Sequence, residues 1–214
     1  MKNNYVIGIT GGVGAGKSTV LYLLENDHHA HVFQADKAER TLTTSKCLVR
    51  DKVVALFGED FLLPGGELDR PRVAQVIYSD PVMKEKLEAI IHPAVRRFLK
   101  AQTIMHKGIV VLEAALPVQA GFPQMCDEIW YVHTDTEVRI ARLMKSRGYT
   151  REKCEAIIAG QMDEPSFRAI SSRVIDNSGD FENTKRQIDE ALASVVIPGG
   201  AADEDKTADG EVKL

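Results

Sequence analysis

Glycines at 11 and 16 followed by Lys17 and Ser18 give the spacing Gly-x-x-x-x-Gly-Lys-Ser, the pattern of a loop that cradles nucleotide phosphates. Gly11, Gly14 and Gly16 allow backbone turns that a Cβ would obstruct. Successive N–H groups can then converge as an anion nest. Lys17 would reach the β- and γ-phosphates, the Ser18 hydroxyl would ligate Mg²⁺, and Thr19 would contact the α-phosphate. Phosphoryl transfer further requires charge neutralisation and a group that orients or deprotonates the acceptor hydroxyl. Asp36 is a candidate for the second task, and Arg139, Arg142 and Arg147 for the first. On local pattern alone Asp36 serves equally well as a helix N-cap. Residues 139 and 142 share a helix face, which reads as readily as a solvated surface.

A phosphate loop needs a strand before it and a helix after it. The apolar run 5–10, "YVIGIT", reads as a buried parallel strand, and 17–25 as the helix. A second strand is predicted over 31–36, "HVFQAD", which places Asp36 at its carboxyl end, where open α/β sheets bind ligands. Residues 37–107 show helical spacing and no clear strand. Gly58 marks one helix stop. Pro93 is assigned to the first turn of a new helix, since an interior proline lacks an N–H and clashes with the preceding turn. Strands follow at 108–116, 128–135 and within 172–179, with a helix closing on Gly148 and another capped by Thr150. The alternation predicts an α/β fold of the P-loop three-layer α/β/α kind, with a parallel sheet and a helical insert. The expected division is a nucleotide-binding core at 1–36 and 108–197, a helical insert at 37–107, and a disordered acidic tail at 198–214.

Composition removes several function classes. The chain has 214 residues and a formal charge of −4, of which −3 falls in the last sixteen residues. The body is near neutral and offers no nucleic-acid surface. Three widely spaced cysteines argue against a disulfide framework. No stretch approaches the roughly 20 apolar residues of a membrane span, and the N-terminal apolar run is too short for a secretion signal. The expectation is a soluble cytoplasmic protein without nucleic-acid or membrane partners. His28, His29 and His31 read as loop, because no acid or cysteine nearby completes a metal set. Asp176 to Gly179 matches the DxxG of a GTPase, but on the last strand and without an NKxD partner. Glu113 falls inside the 108–116 strand pattern rather than beyond it, which disfavours a motor ATPase. A small-molecule kinase remains.

Five ordered blocks narrow the acceptor: "GITGGVGAGKSTV", "ADKAER", "LFGEDFLLPGGELDRPRVAQVIYSD", "LEAIIHPAVR" and "RVIDNSG". From about Val6 to about Leu192 the chain resembles the dephospho-CoA kinase family. The resemblance implies transfer of the γ-phosphoryl group of ATP, with Mg²⁺, to the 3′-hydroxyl of dephospho-CoA, a small-molecule substrate. It implies that 37–107 is the acceptor (CoA) domain and that about 139–165 is a lid. Carried over residue by residue, Gly12, Val13, Gly14, Ala15, Gly16, Lys17, Ser18 and Thr19 bind the nucleotide and Asn177 lies by its adenine. Asp36 becomes the base or orienting group, with Lys17 and Arg142 as catalytic cations. Arg40, Arg70 and His92 join Asp36 on the acceptor side, although Arg40 also reads as solvated helix surface and His92 as a structural residue before Pro93. Three departures from the family pattern stand out: expected acids are replaced by Gln34 and Gln119, and an alanine–aspartate pair reads Ser172-Arg173. That keeps two alternatives open: a degenerate, non-catalytic nucleotide-binding protein, or a P-loop kinase of another small molecule. The oligomeric state is not legible.

Overall fold

The computed structural model describes residues 3–44 and 47–195; the acidic tail expected at 198–214 lies outside them. The chain runs through β1 (Asn4–Thr10), α1 (Lys17–Asn26), β2 (His31–Gln34), α2 (Ala35–Thr44), α3 (Leu48–Phe57), a 3₁₀ turn (Glu59–Phe61), α4 (Arg70–Ser79) and α5 (Pro81–Met105). It continues through β3 (Gly108–Glu113), α6 (Pro117–Ala120), α7 (Phe122–Met125), β4 (Glu128–His133), α8 (Thr136–Arg147), α9 (Arg151–Ala159), α10 (Glu164–Ala169), β5 (Arg173–Asp176) and α11 (Phe181–Ala193). The sheet order is β2-β3-β1-β4-β5 and all pairs are parallel. The fold is the predicted α/β arrangement.

Side-chain alternation along the strands supplies both faces. Val6, Val110, Leu112 and Ile129 pack with Val53, Val73, Leu87, Ile91 and Leu99 of the helical block. Ile7, Ile9, Val111, Trp130 and Val132 pack with α1 and with Ile188 and Ala191 of α11. β1 is therefore buried on both faces, as its uninterrupted apolar run requires. The helical block is not a separate droplet: its apolar residues form one cluster with a sheet face. Trp130, fully buried on the α1–α11 face, donates its Nε1–H to Glu128 Oε2 at 2.6 Å.

Several local signals act as read. Thr150 Oγ1 accepts from the Lys153 N–H and caps α9. Gly148 ends α8 in the left-handed region at φ 64°, where a Cβ is disfavoured. Among the described residues no helix is long and apolar enough to cross a membrane.

Three expectations are corrected. β2 stops at Gln34, so Asp36 sits in the first turn of α2 rather than at a strand end. β3 stops at Glu113, not at 116. Its neighbour β1 ends at Thr10 and its last paired residue there is Ile9, opposite Glu113; the Ala114 N–H still donates to the Ile9 carbonyl at 3.2 Å, and the pairing stops there. Finally, α5 passes straight through Pro93 as one helix of 25 residues. An interior proline costs about 3 kcal/mol. Here Leu87 and Ile91 before it, and Ala94, Val95 and Leu99 after it, are all buried. Burying a Leu or Ile side chain contributes about 1.5–3 kcal/mol, so one continuous apolar face outweighs the lost hydrogen bond.

Candidate active site

The phosphate loop joins β1 to α1 and is gripped from behind. Arg139 Nε donates to the Val13 carbonyl at 2.9 Å. Thr134 Oγ1 and Asn177 Nδ2 donate to the Ala15 carbonyl at 2.9 and 2.8 Å. A planar trans peptide points its N–H opposite to its C=O. Pinning these two carbonyls therefore turns the Gly14 and Gly16 N–H groups the other way, toward the cleft. Gly14 and Gly16 hold φ of 76° and 82°, and a Cβ on Gly16 would sit 2.1 Å from Asn177 Nδ2. Gly16 also caps α1 without a side chain, which leaves the positive end of that helix facing an anion.

The loop forms one wall of a cleft of about 520 Å³. Gly12, Val13, Gly14, Gly16, Lys17 and Ser18 line it, together with Asp36, Glu113 and Arg142. Lys17 Nζ donates to the Gly11 carbonyl at 2.9 Å and lies 3.7 Å from Glu113 Oε1. Burial pushes the Lys17 pKa down, and the charges of Glu113 and Asp36 oppose that shift. The cleft thus holds cation and carboxylates close together, a setting in which a phosphate can replace a carboxylate as the lysine's partner.

A smaller cavity of about 150 Å³ adjoins it, lined by Asp36, Glu39, His92, Ala114, Ala115 and Gln119. Asp36 and Ala115 belong to both walls. Burial raises the Glu39 pKa and the Asp36 charge raises it further, against Arg70 and His92. Asp36 therefore stands where the two spaces meet, next to a carboxyl that holds its proton more tightly than usual.

The expected residues do not all converge. Asn177 is nearly buried, donates to Ala15 and accepts from Thr184 Oγ1 at 2.9 Å, so its side chain braces the loop. Arg142 lines the cleft and also donates to the Asn177 carbonyl at 2.8 Å. Ala15 is buried, and Thr19 donates its N–H to the carbonyl of Gly16, the N-cap of α1. Arg70 binds the Arg40 carbonyl at 3.1 Å and the Thr43 and Thr44 hydroxyls; it ties the end of α2 to α4. Arg40 borders a shallow exposed groove with Lys37, Thr41 and Thr44, away from Asp36's two cavities.

Glu113, expected inside a strand running to 116, instead closes β3. It accepts from Gln34 Nε2 at 3.2 Å, and it faces Lys17. The missing acid at 34 is thus replaced by a donor that orients the Glu113 carboxylate. An acid closing an apolar strand beside the phosphate loop is the signal that would have found it. Thr134 and Gln161, which touch the loop from just past β4 and from the α9–α10 turn, carry no comparable local signal.

Comparison with known proteins agrees with this geometry. A family model described as dephospho-CoA kinase matches residues 5–183. A dephospho-CoA kinase from Geobacter sulfurreducens is 37% identical over 192 residues, covering 88% of this chain and 97% of the relative. One from Trichormus variabilis is 35% identical, covering 87% and 96%. Among solved structures, one from Thermus thermophilus superposes with a TM-score of 0.76 at 32% identity, covering 91% of this chain and all of that one. A shikimate kinase from Acinetobacter baumannii, at TM-score 0.54 and 14% identity over 90% and 95%, shares the fold. The phosphate loop, the helical block over one sheet face and the match over 5–183 converge on one assignment: the chain belongs to the dephospho-CoA kinase family.

Proposed function

We propose that this chain transfers the γ-phosphoryl group of ATP to the 3′-hydroxyl of dephospho-CoA, giving coenzyme A and ADP. The observation that carries this reading is Asp36, which lines both the phosphate-loop cleft and the adjoining cavity. A hydroxyl presented from the smaller cavity would meet the donor phosphate beside that carboxylate. Asp36 takes the hydroxyl proton, the oxygen attacks the γ-phosphorus, and the bond to the β–γ bridging oxygen breaks. Lys17 and Arg142 neutralise the charge on the transferring group. The helical residues 37–107 act as the acceptor domain with His92 on its cavity wall, and about 139–165 as the lid.

The residues fit Mg²⁺: the Ser18 hydroxyl and the Glu113 and Asp36 carboxylates are hard oxygen donors on one cleft. Mg²⁺ bound there would supply charge neutralisation at the phosphates. Arg40 and Arg70 support the acceptor side through the α2–α4 junction that they tie together. We place the protein in the cytoplasm, where an enzyme drawing on ATP works, and assign it no nucleic-acid or membrane partner.

The test is ADP release coupled to dephospho-CoA, ATP and Mg²⁺. Turnover with dephospho-CoA is expected. Turnover with a different hydroxyl acceptor and none with dephospho-CoA would overturn the assignment, and ATP binding with no acceptor at all would favour a non-catalytic protein.

A further inference from the structure

The backbone of Val13 is held on both sides by one pair of side chains. Its N–H donates to Gln161 Oε1 at 2.9 Å, and its neighbouring C=O accepts from Arg139 Nε at 2.9 Å. Arg139 Nη2 closes the ring by donating to the same Gln161 oxygen at 2.9 Å. Both the backbone N–H and the guanidinium are donors only, so the Gln161 atom between them has to be the carbonyl oxygen. The three partners come from the phosphate loop, from α8 and from the turn between α9 and α10.

This contact is built into the loop's sequence. A Cβ on Gly12 would lie 2.3 Å from Arg139 Nη2 and 3.0 Å from Gln161 Oε1. Glycine at 12 is thus what lets the guanidinium approach the backbone. Val13 is flanked by Gly12 and Gly14, residues that lose the most conformational freedom on ordering, so a loop of this kind gains most from being pinned. Arg139 is absent from the cleft lining and lies in the wall of a separate recess beside Tyr131 and Phe167. It bears on the nucleotide site through the Val13 carbonyl, through Gln161, which does line the cleft, and through its charge, which acts to lower the Lys17 pKa.

We propose that Gln161 and Arg139 are positioning residues that clamp the backbone of Val13 from the lid side and so set the loop geometry that receives ATP. The proposal rests on the kinase reading above for its kinetic consequence, though not for the clamp itself. The charge-assisted bond from Arg139 is the stronger member.

The experiment uses the full chain, with amide hydrogen exchange at Val13 followed by NMR alongside steady-state kinetics. Gln161→Leu keeps the side chain's bulk and removes the acceptor. It is expected to speed Val13 exchange and raise the KM for ATP, each by about tenfold, the scale of one lost hydrogen bond. The KM for dephospho-CoA stays at its wild-type value. Gln161→Glu restores both acceptor roles and returns Val13 protection. Arg139→Lys keeps the charge that acts on Lys17 and removes the forked pair of donors; it speeds Val13 exchange and raises the KM for ATP, and carries the test should Gln161→Leu fail to fold. Unchanged Val13 exchange in Gln161→Leu, or a loss confined to kcat with both KM values intact, overturns the clamp. If the wild type turns over no dephospho-CoA, the kinase reading fails while Val13 exchange and the affinity for a fluorescent ATP analogue still decide the clamp.

Discussion

Lys17 Nζ stands 3.7 Å from Glu113 Oε1 while donating to the Gly11 carbonyl at 2.9 Å. The lysine is held between a strand-end acid and its own loop, and burial makes its charge harder to keep. The downward shift from the ordinary 10.5 has two consequences. The unfolded chain binds more protons in the window between the lowered pKa and 10.5, so this group's contribution to stability rises with pH across that window. ATP use runs the other way, since the phosphates need the cation. We expect kcat/KM for ATP to fall on an alkaline limb below 10.5. Glu113→Gln removes the largest opposing charge and should move that limb to lower pH. A limb that stays in place would break the link between these two residues.

Asp36→Asn should lower kcat by at least about 100-fold, the low end of a general-base contribution. Asp36 is exposed in the first turn of α2, where its charge on the helix end contributes only about 0.3–1 kcal/mol. The melting temperature should therefore change little. Near-normal turnover would remove Asp36 from the chemistry.

Asn177→Ala removes the donor to the Ala15 carbonyl and the acceptor for Thr184 Oγ1. Both partners are buried, so the cost should be about 1–3 kcal/mol, read as a lower urea midpoint. The loop is loosened at the same point, and the KM for ATP should rise. Normal stability in this variant would show that Asn177 does not brace the loop.

Tyr5 offers a pH test far from the cleft. Burial, then the Glu128 charge and its hydrogen bond, push the phenol up to about 12 from the ordinary 10.0. A raised folded pKa means the neutral phenol is favoured in the fold, so its contribution is full below pH 10 and lost as pH rises through about 12. Ultraviolet titration should show a late-titrating tyrosine that Tyr5→Phe abolishes. A titration complete by pH 11 in the wild type would contradict this.

The parts of the site that the sequence made legible are those with local causes. The phosphate loop rests on glycine geometry, and the Thr150 cap on a hydroxyl and an N–H three residues apart. Misread features depend on partners distant in sequence. Pro93 continues α5 because residues on both sides of it face one core. Glu113 ends its strand because β1 turns away at Thr10. Arg139 reads as solvated helix in isolation and finds the Val13 carbonyl 126 residues earlier. Gln161 is one polar residue in a turn until the fold sets it against Val13. Gln34 looks like a lost acid and proves to be a donor to Glu113.

Trp130 is the chain's single indole, and it belongs to one layer. Its emission reports the packing between the sheet and the α1–α11 side, whereas far-ultraviolet ellipticity sums every helix, including those over the opposite face. Two optical melts that coincide would mark a single cooperative unit. An ellipticity loss that precedes the fluorescence change would mean the helical block lets go first, while the nucleotide-binding layer still stands.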